Sequence, residues 1–572
     1  MLQIISGKFY KGDQIEINEG RGILYSNIKI YRPIVTCIGT LEPVDVHSVV
    51  CTYLFTYNNK LEINRASNGF ALLRTGDPEI IEQFKLISFF GLKAFFSTEK
   101  EDIIKNCRSN RLNVNDKFQP SKFVKRYFDQ EIHSSAHDEE QFVQFVEKMI
   151  GLPRAYYNSV MTCLNNFYHS LVNLNYNIDL SYSLLVYCLE SLAQTFDDFS
   201  PEWSDFDFRI RNRLDAIMVQ IDPDKAAEIK NVLIDSSHLK LQKRFVQFSK
   251  KYVEDSFFTE LAQGIEHPLK KSDLDSALKS AYDIRSRYVH QLESLMKQLI
   301  IEQIANSEVF TWEHNVYLTF NGFVRLWQHI LTNFINSQPI LENEDYDWRN
   351  ELPGIVHFYP APQYWLYRAD SFTEKQATYW LEGFLSLLET NFLGGNTQIN
   401  LNDIIEKIED LIPRAEKRYK YPLLAFYIIY NSVVSKEGIR PAYQKILSNN
   451  QELYNTCTIE LMTAAMFSDG KWPWSVNDCV DTFNKYKKKS YESESLRIPP
   501  YFEVGLILGI ANEYFLKNDF EKYKEFVQIA IYELPSKNEL QKSLDDCLNN
   551  PVEIDLVILF KRETSSEIEF YI

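Results

Sequence analysis

SDLDSALKSAYDIRSRYVHQLESLMKQLI, residues 272–300, is the stretch on which the middle of the chain turns. Its apolar residues Leu274, Ala277, Leu278, Ala281, Ile284, Tyr288, Leu292, Leu295 and Leu299 recur at three- and four-residue steps. That spacing predicts one amphipathic helix with a buried stripe. Arg285 falls at the edge of the stripe, where a charge is costly unless it is paired or used. His290 follows five residues later, about 140° further round an ideal helix. The two side chains therefore do not share a face.

Upstream, Tyr182-Ser183-Leu184-Leu185-Val186-Tyr187-Cys188-Leu189-Glu190-Ser191-Leu192 reads as a second buried helix. Together with Tyr282-Asp283-Ile284-Arg285-Ser286-Arg287-Tyr288-Val289-His290, it resembles the helices of HEPN domains, and more narrowly those of the ApeA type found in bacterial anti-phage proteins. The family carries an Arg, four to six residues, then a His; its earlier helix ends in a Leu-Glu-Ser/Ala-Leu pattern. Both are present here in the family's order. The resemblance implies a helical bundle and a metal-independent endoribonuclease acting in abortive infection, held off until a phage-derived or host protein triggers it. It assigns Arg285 and His290 as the catalytic pair. Glu190 matches a family Glu that orients or neutralises the Arg, with plain packing support as the alternative. Ser286 stands where the family often has Asn, Asp or His, so the pattern is kept loosely.

The chemistry of such a pair is intelligible from the residues. RNA carries its own nucleophile, the 2′-hydroxyl beside the scissile phosphate. His supplies a general acid or base near neutrality, and Arg a bidentate cation for the charge that develops on the phosphorane. Neither role calls for a cofactor or a metal. Because Arg285 and His290 diverge, two copies packed through this helix serve one phosphate better than one copy does. The family's composite dimer site implies the same homodimer. The competing reading is a non-catalytic adaptor: a HEPN-like dimerisation core whose C-terminal helices bind a partner protein. In that case Arg285 pairs with Glu190 and His290 is merely exposed.

The chain has 572 residues, enough for several domains. Apolar residues make up 45%, which suits packed structure over disorder. The 61 basic and 78 acidic residues give −17 at pH 7, so the molecule as a whole repels nucleic acid and membranes. An RNA substrate must then meet a local basic patch. Lys243, Arg244 and Arg287 are candidates, against the plainer reading of a solvated helical face. Eight scattered Cys offer neither a zinc nor a disulfide pattern. His133 and His137 are spaced as a metal pair on a helix but lie in a polar stretch with no third His or Cys nearby, so a solvated loop is the plainer reading. No leader opens the chain and no long uncharged apolar run occurs, which points to a cytoplasmic protein without membrane contact. Walker A, dinucleotide, nucleophile-elbow and HExxH motifs are all missing from the sequence.

The expected fold class is α+β, mainly α. Residues 1–130 form a β-rich N-terminal domain, residues 140–305 a HEPN-like helical domain, and residues 306–572 a helical C-terminal region. Strands are predicted at QIEIN, ILYSNIKIY, IVTCIGTL and VVCTYLFTY, with turn residues at Gly12-Asp13, Glu19 to Gly22 and Asn58-Asn59. The domain they build is either a packing unit or a sensor. Asp179 or Ser181 is the predicted cap of the 179–196 helix. Residues 301–370 read as helical and dense in aromatics. Leu508 to Ala511, Tyr514, Phe520, Ala530 and Pro535 resemble one tetratricopeptide unit, turned at Asn518-Asp519. Residues 484–497 read as a charged loop, and 557–572 as a final hairpin.

Overall fold

The computed structural model describes residues 1–556 apart from 13–14, 63, 67–68, 72–75, 108–118, 198–201, 207, 220, 237–239, 301–306, 353–359, 396, 469–471, 493–494 and 535–537. The final hairpin and Pro535 thus lie outside the described residues. The protein is mainly helical, with an antiparallel sheet near its N-terminus. It divides into two compact units, Met1–Val356 and His357–Ile572, each with its own apolar core. A single core runs through the first unit, joining the β-rich part to the helices that follow it.

After helix α1 (Leu2–Ile5) come β1 (Ile15–Ser26), β2 (Ile28–Lys29), β3 (Ile34–Thr36), β4 (Gly39–Asp45) and β5 (Cys51–Glu62). A small hairpin, β6 (Asn64–Ala66) and β7 (Gly69–Ala71), precedes α2 (Asp77–Gly91) and β8 (Phe96–Ser97). The main sheet has the order β3-β4-β5-β1-β8. β1 and β5 pair without a break from Ile15↔Glu62 to Ser26↔Cys51. The turns expected at Glu19 to Gly22 and at Asn58-Asn59 are therefore corrected: both lie inside long strands. Glycine at 20 and 22 serves close approach. A Cβ on Gly20 would lie 2.3 Å from the Tyr57 ring, and one on Gly22 2.5 Å from Ile81 on α2. Helix α2 covers the sheet's inner face, where Phe84 stacks on Phe55 at 3.7 Å.

Three short helices, α3 (Lys100–Asn106), α4 (Pro120–Phe123) and α5 (Lys125–Phe128), lead to β9 (Ile132–His133), which pairs with β2. Then follow α6 (Ala136–Gly151), α7 (Arg154–Asn173), α8 (Ile178–Phe196), α9 (Phe208–Met218), α10 (Pro223–Ser236), α11 (Leu241–Lys251) and α12 (Leu274–Gln291). A capping box of Ser135 and Asp138 starts α6. Asn177, not Asp179 or Ser181, caps α8, its side-chain oxygen accepting from the Leu180 N–H at 3.0 Å. Both residues first favoured for the cap are used elsewhere. Ser181 donates to the Ser170 carbonyl at 2.7 Å, and Asp179 accepts from the Leu295 N–H at 2.6 Å.

That last bond explains a second correction. α12 stops at Gln291 instead of running to Leu299. Leu292 takes a left-handed conformation, φ 53°, and is 80% exposed. The chain then crosses to α8, and Leu295 and Leu299 are buried on a separate segment containing α13 (Lys297–Ile300). The stretch 301–370, read as helical, instead opens among the described residues with a hairpin, β10 (Val309–Trp312) and β11 (Asn315–Leu318), turned by Glu313 and His314 with φ of 46° and 65°, and after Ser337 its described residues hold only short 3-10 turns. Thr319 caps α14 (Phe320–Ser337), which carries the predicted aromatics into the unit's core. Trp327 stacks on Phe167 of α7 at 4.2 Å.

The second unit holds α15 (Ala377–Phe392), α16 (Asn402–Leu411), α17 (Lys417–Val433), α18 (Tyr443–Asn449), α19 (Ile459–Met466), α20 (Val476–Lys489), α21 (Pro500–Leu516), α22 (Phe520–Tyr532) and α23 (Asn538–Asn549). Helix α20 includes KYKKK, so the charged loop predicted at 484–497 begins only after Lys489. Its buried Phe483 and Tyr486 hold the exposed lysines in helical register. α21 and α22 form an antiparallel pair, turned at Asn518 (φ 59°) and capped by Asp519, which accepts from the Lys522 N–H at 3.1 Å.

Candidate functional site

Helices α8, α11 and α12 pack against one another in the first unit. The buried residues of α8 and the Leu274–Ile284 face of α12 meet there and bring Glu190 to Arg285. Arg285 Nη2 lies 2.5 Å from Glu190 Oε2, with the side chains 11% and 3% exposed. The guanidinium sits over the Tyr187 ring at 4.1 Å and beside the Tyr282 ring at 5.5 Å. Tyr282 donates its hydroxyl to Glu190 Oε1 at 3.2 Å.

Burial outweighs these partners at Glu190. Its carboxyl is pushed above the usual range by desolvation, although Arg285 and the Tyr282 hydroxyl both pull it down. Tyr282 is pushed up to about 12, by burial first and by the charge of Glu190 second. Arg285 Nε is buried without a hydrogen-bond partner, so the guanidinium keeps a donor that the ion pair does not use.

His290 stands in the last turn of α12, exposed to solvent. No hydrogen bond or ion pair reaches it among the described residues. Arg285 faces α8 and His290 faces outward, so a single copy does not bring the two together. Ser286, next to Arg285, is half-buried. Arg287 is exposed and pairs loosely with Glu293 at 3.5 Å.

The basic candidates on α11 separate. Arg244 is locked in a bidentate pair with Asp197, Nε–Oδ2 2.7 Å and Nη2–Oδ1 2.8 Å, and donates to the Gln194 carbonyl at 3.0 Å. It ties α11 to the end of α8. Lys243 lines a groove of about 460 Å³ between α11 and α12. Lys250 and Lys279 line the same groove and both hold Asp275, at 3.2 and 2.7 Å. His133 and His137 take separate partners, Tyr31 at 3.2 Å and Gln141 at 3.0 Å.

The tyrosines that frame the ion pair escaped the reading of the sequence. A signal was present: Tyr282 precedes Arg285 by three residues and Tyr187 precedes Glu190 by three, the spacing at which helical side chains touch.

Comparison with family models, with curated proteins and with solved structures finds no match to the chain.

Proposed function

We propose that the protein is a HEPN-type endoribonuclease that cuts RNA through its own 2′-hydroxyl, with Arg285 and His290 as the working pair. One observation carries the reading. Glu190 on the neighbouring helix fixes Arg285, whose Nε donor is left over, in the same helix that exposes His290. In the reaction, the 2′-oxygen bonds to phosphorus and gives its proton to a base. The bond from phosphorus to the 5′-oxygen breaks, and an acid returns a proton to that oxygen. The products are a 2′,3′-cyclic phosphate and a 5′-hydroxyl. His290 suits the proton transfer, and Arg285 the charge on the phosphorane. Since the two face apart within one copy, the site is completed by a second copy, each lending groups to the other's phosphate.

A second reading has its own observation. Glu190 already neutralises Arg285 in a nearly buried pair, as a dimerising adaptor with no chemistry would require. Induced expression in bacteria separates the two. Growth arrest and fragmented total RNA in the wild type, both lost in His290→Ala, support the ribonuclease. Intact RNA in both, with and without phage infection, supports the adaptor.

A further inference from the structure

Among the described residues, the main sheet carries an edge that is left largely unpaired. β5 pairs with one side of β1 along its whole length. On the other side, β8 reaches only Tyr25 and Ser26. From Ile15 to Leu24 no hydrogen bond meets that second edge among the described residues. The edge has no proline and no bulge in a register that is continuous from Ile15 to Ser26, and its charges are of both signs. Ile17 and Ile23 point to solvent, 58% and 52% exposed. Between them Arg21 and Glu19 hold each other at 2.6 Å on the same face.

Such an edge pairs with another strand, and its pattern selects the strand. In an antiparallel pair, residues directly opposite share a face, so two copies of β1 must set odd positions against odd. Centred on Gly20, the pairing sets Ile17 against Ile23 of the second copy and Glu19 against Arg21. It is apolar on apolar and acid on base, repeated on both sides of the axis. Moving the centre by one residue either way sets Glu19 against Glu19 or Arg21 against Arg21, and both strip an isoleucine of its apolar partner. The Gly20 register also uses residues 16 to 24 and stops where β8 begins. We infer that β1 is a self-association edge, on which a second copy of this chain docks antiparallel about Gly20 to continue the sheet across a two-fold axis. The contact is confined to one strand edge, residues 16 to 24 of each copy, so the association is reversible. The inference is independent of any reading of Arg285 and His290.

The test uses the full chain in a Cys37→Ser background, because Cys37 is exposed. Glu19→Cys and Arg21→Cys proteins are prepared separately, then oxidised mildly, alone and mixed. The expected result is a disulfide-linked dimer from the mixture, mapped to positions 19 and 21, and little from either alone. In parallel, light scattering over a concentration series follows Ile17→Lys with Ile23→Lys, whose monomer–dimer midpoint rises at least tenfold while the circular dichroism stays that of the wild type. No cross-link in the mixture, a cross-link from either variant alone, or an association unmoved by the lysines would overturn the inference.

Discussion

Arg285→Met is the most informative perturbation of the ion pair. It removes the cation beside the Glu190 carboxyl, which is 3% exposed in the wild type, and leaves it, among the described residues, the Tyr282 hydroxyl at 3.2 Å. Stranding one member of a buried pair costs about 3–5 kcal/mol. The loss depends on pH, and its sign follows from Glu190. Burial already holds that carboxyl above its ordinary value of 4.5, and without Arg285 it rises further. A carboxyl raised in the folded state contributes stability that is full below its unfolded value and lost as pH rises through the folded one. The destabilisation relative to wild type therefore grows as pH rises above the ordinary carboxyl value of 4.5, by at most ~1.4 kcal/mol per pH unit. At pH 8 the melting temperature falls by roughly 6–10 °C for a unit of this size. Adding Glu190→Leu removes the stranded charge and brings stability back to within about 1–2 kcal/mol of wild type. Thermal denaturation of the three proteins at pH 5, 6, 7 and 8 measures all of this. A loss that does not vary with pH, or a double variant as unstable as the sum of the singles, would refute the reasoning.

His290→Ala, at an exposed position, leaves stability in thermal denaturation unchanged within about 0.5 kcal/mol and lowers RNA cleavage by on the order of 10²–10⁴. A stability loss of several kcal/mol would show the His to be structural. Arg244→Ala breaks the pair with Asp197 and destabilises by about 1–3 kcal/mol, with no change in RNA affinity in a filter-binding assay; weakened binding at unchanged stability would return Arg244 to the RNA surface. Gly20→Val drives a side chain into the Tyr57 ring and costs about 1–3 kcal/mol in urea denaturation. A neutral result would mean that β1 and β5 do not approach as closely as the fold requires.

Legibility varied with how local the cause was. Helices α6 to α8 follow from apolar residues at helical spacing, which burial enforces wherever the chain packs. The long strands were found but broken in the wrong places. Gly20 and Gly22 read as turn signals, whereas their reason lies in Tyr57 and Ile81, distant residues that leave no room for a Cβ. The end of α12 was missed for the same kind of reason. Leu292, Leu295 and Leu299 continue the stripe in sequence, but a bond from Leu295 to Asp179 ends the helix from outside it. At the candidate site, Glu190 and Arg285 were expected as partners and are paired at 2.5 Å. The partner of Arg244, Asp197, lies in a stretch whose approach to α11 no spacing reveals.

The proposed 2′-hydroxyl attack needs His290. The direct measurement is cleavage of a defined RNA by the purified protein in EDTA, with the product ends identified by mass spectrometry, for wild type and His290→Ala. A substrate of the same sequence with 2′-deoxy sugars is run beside it. The expected products are fragments ending in a 2′,3′-cyclic phosphate and a 5′-hydroxyl, from wild type only and from the ribose substrate only. Fragments of the same kind from His290→Ala, cutting of the deoxy substrate, or intact RNA throughout would contradict the proposed attack.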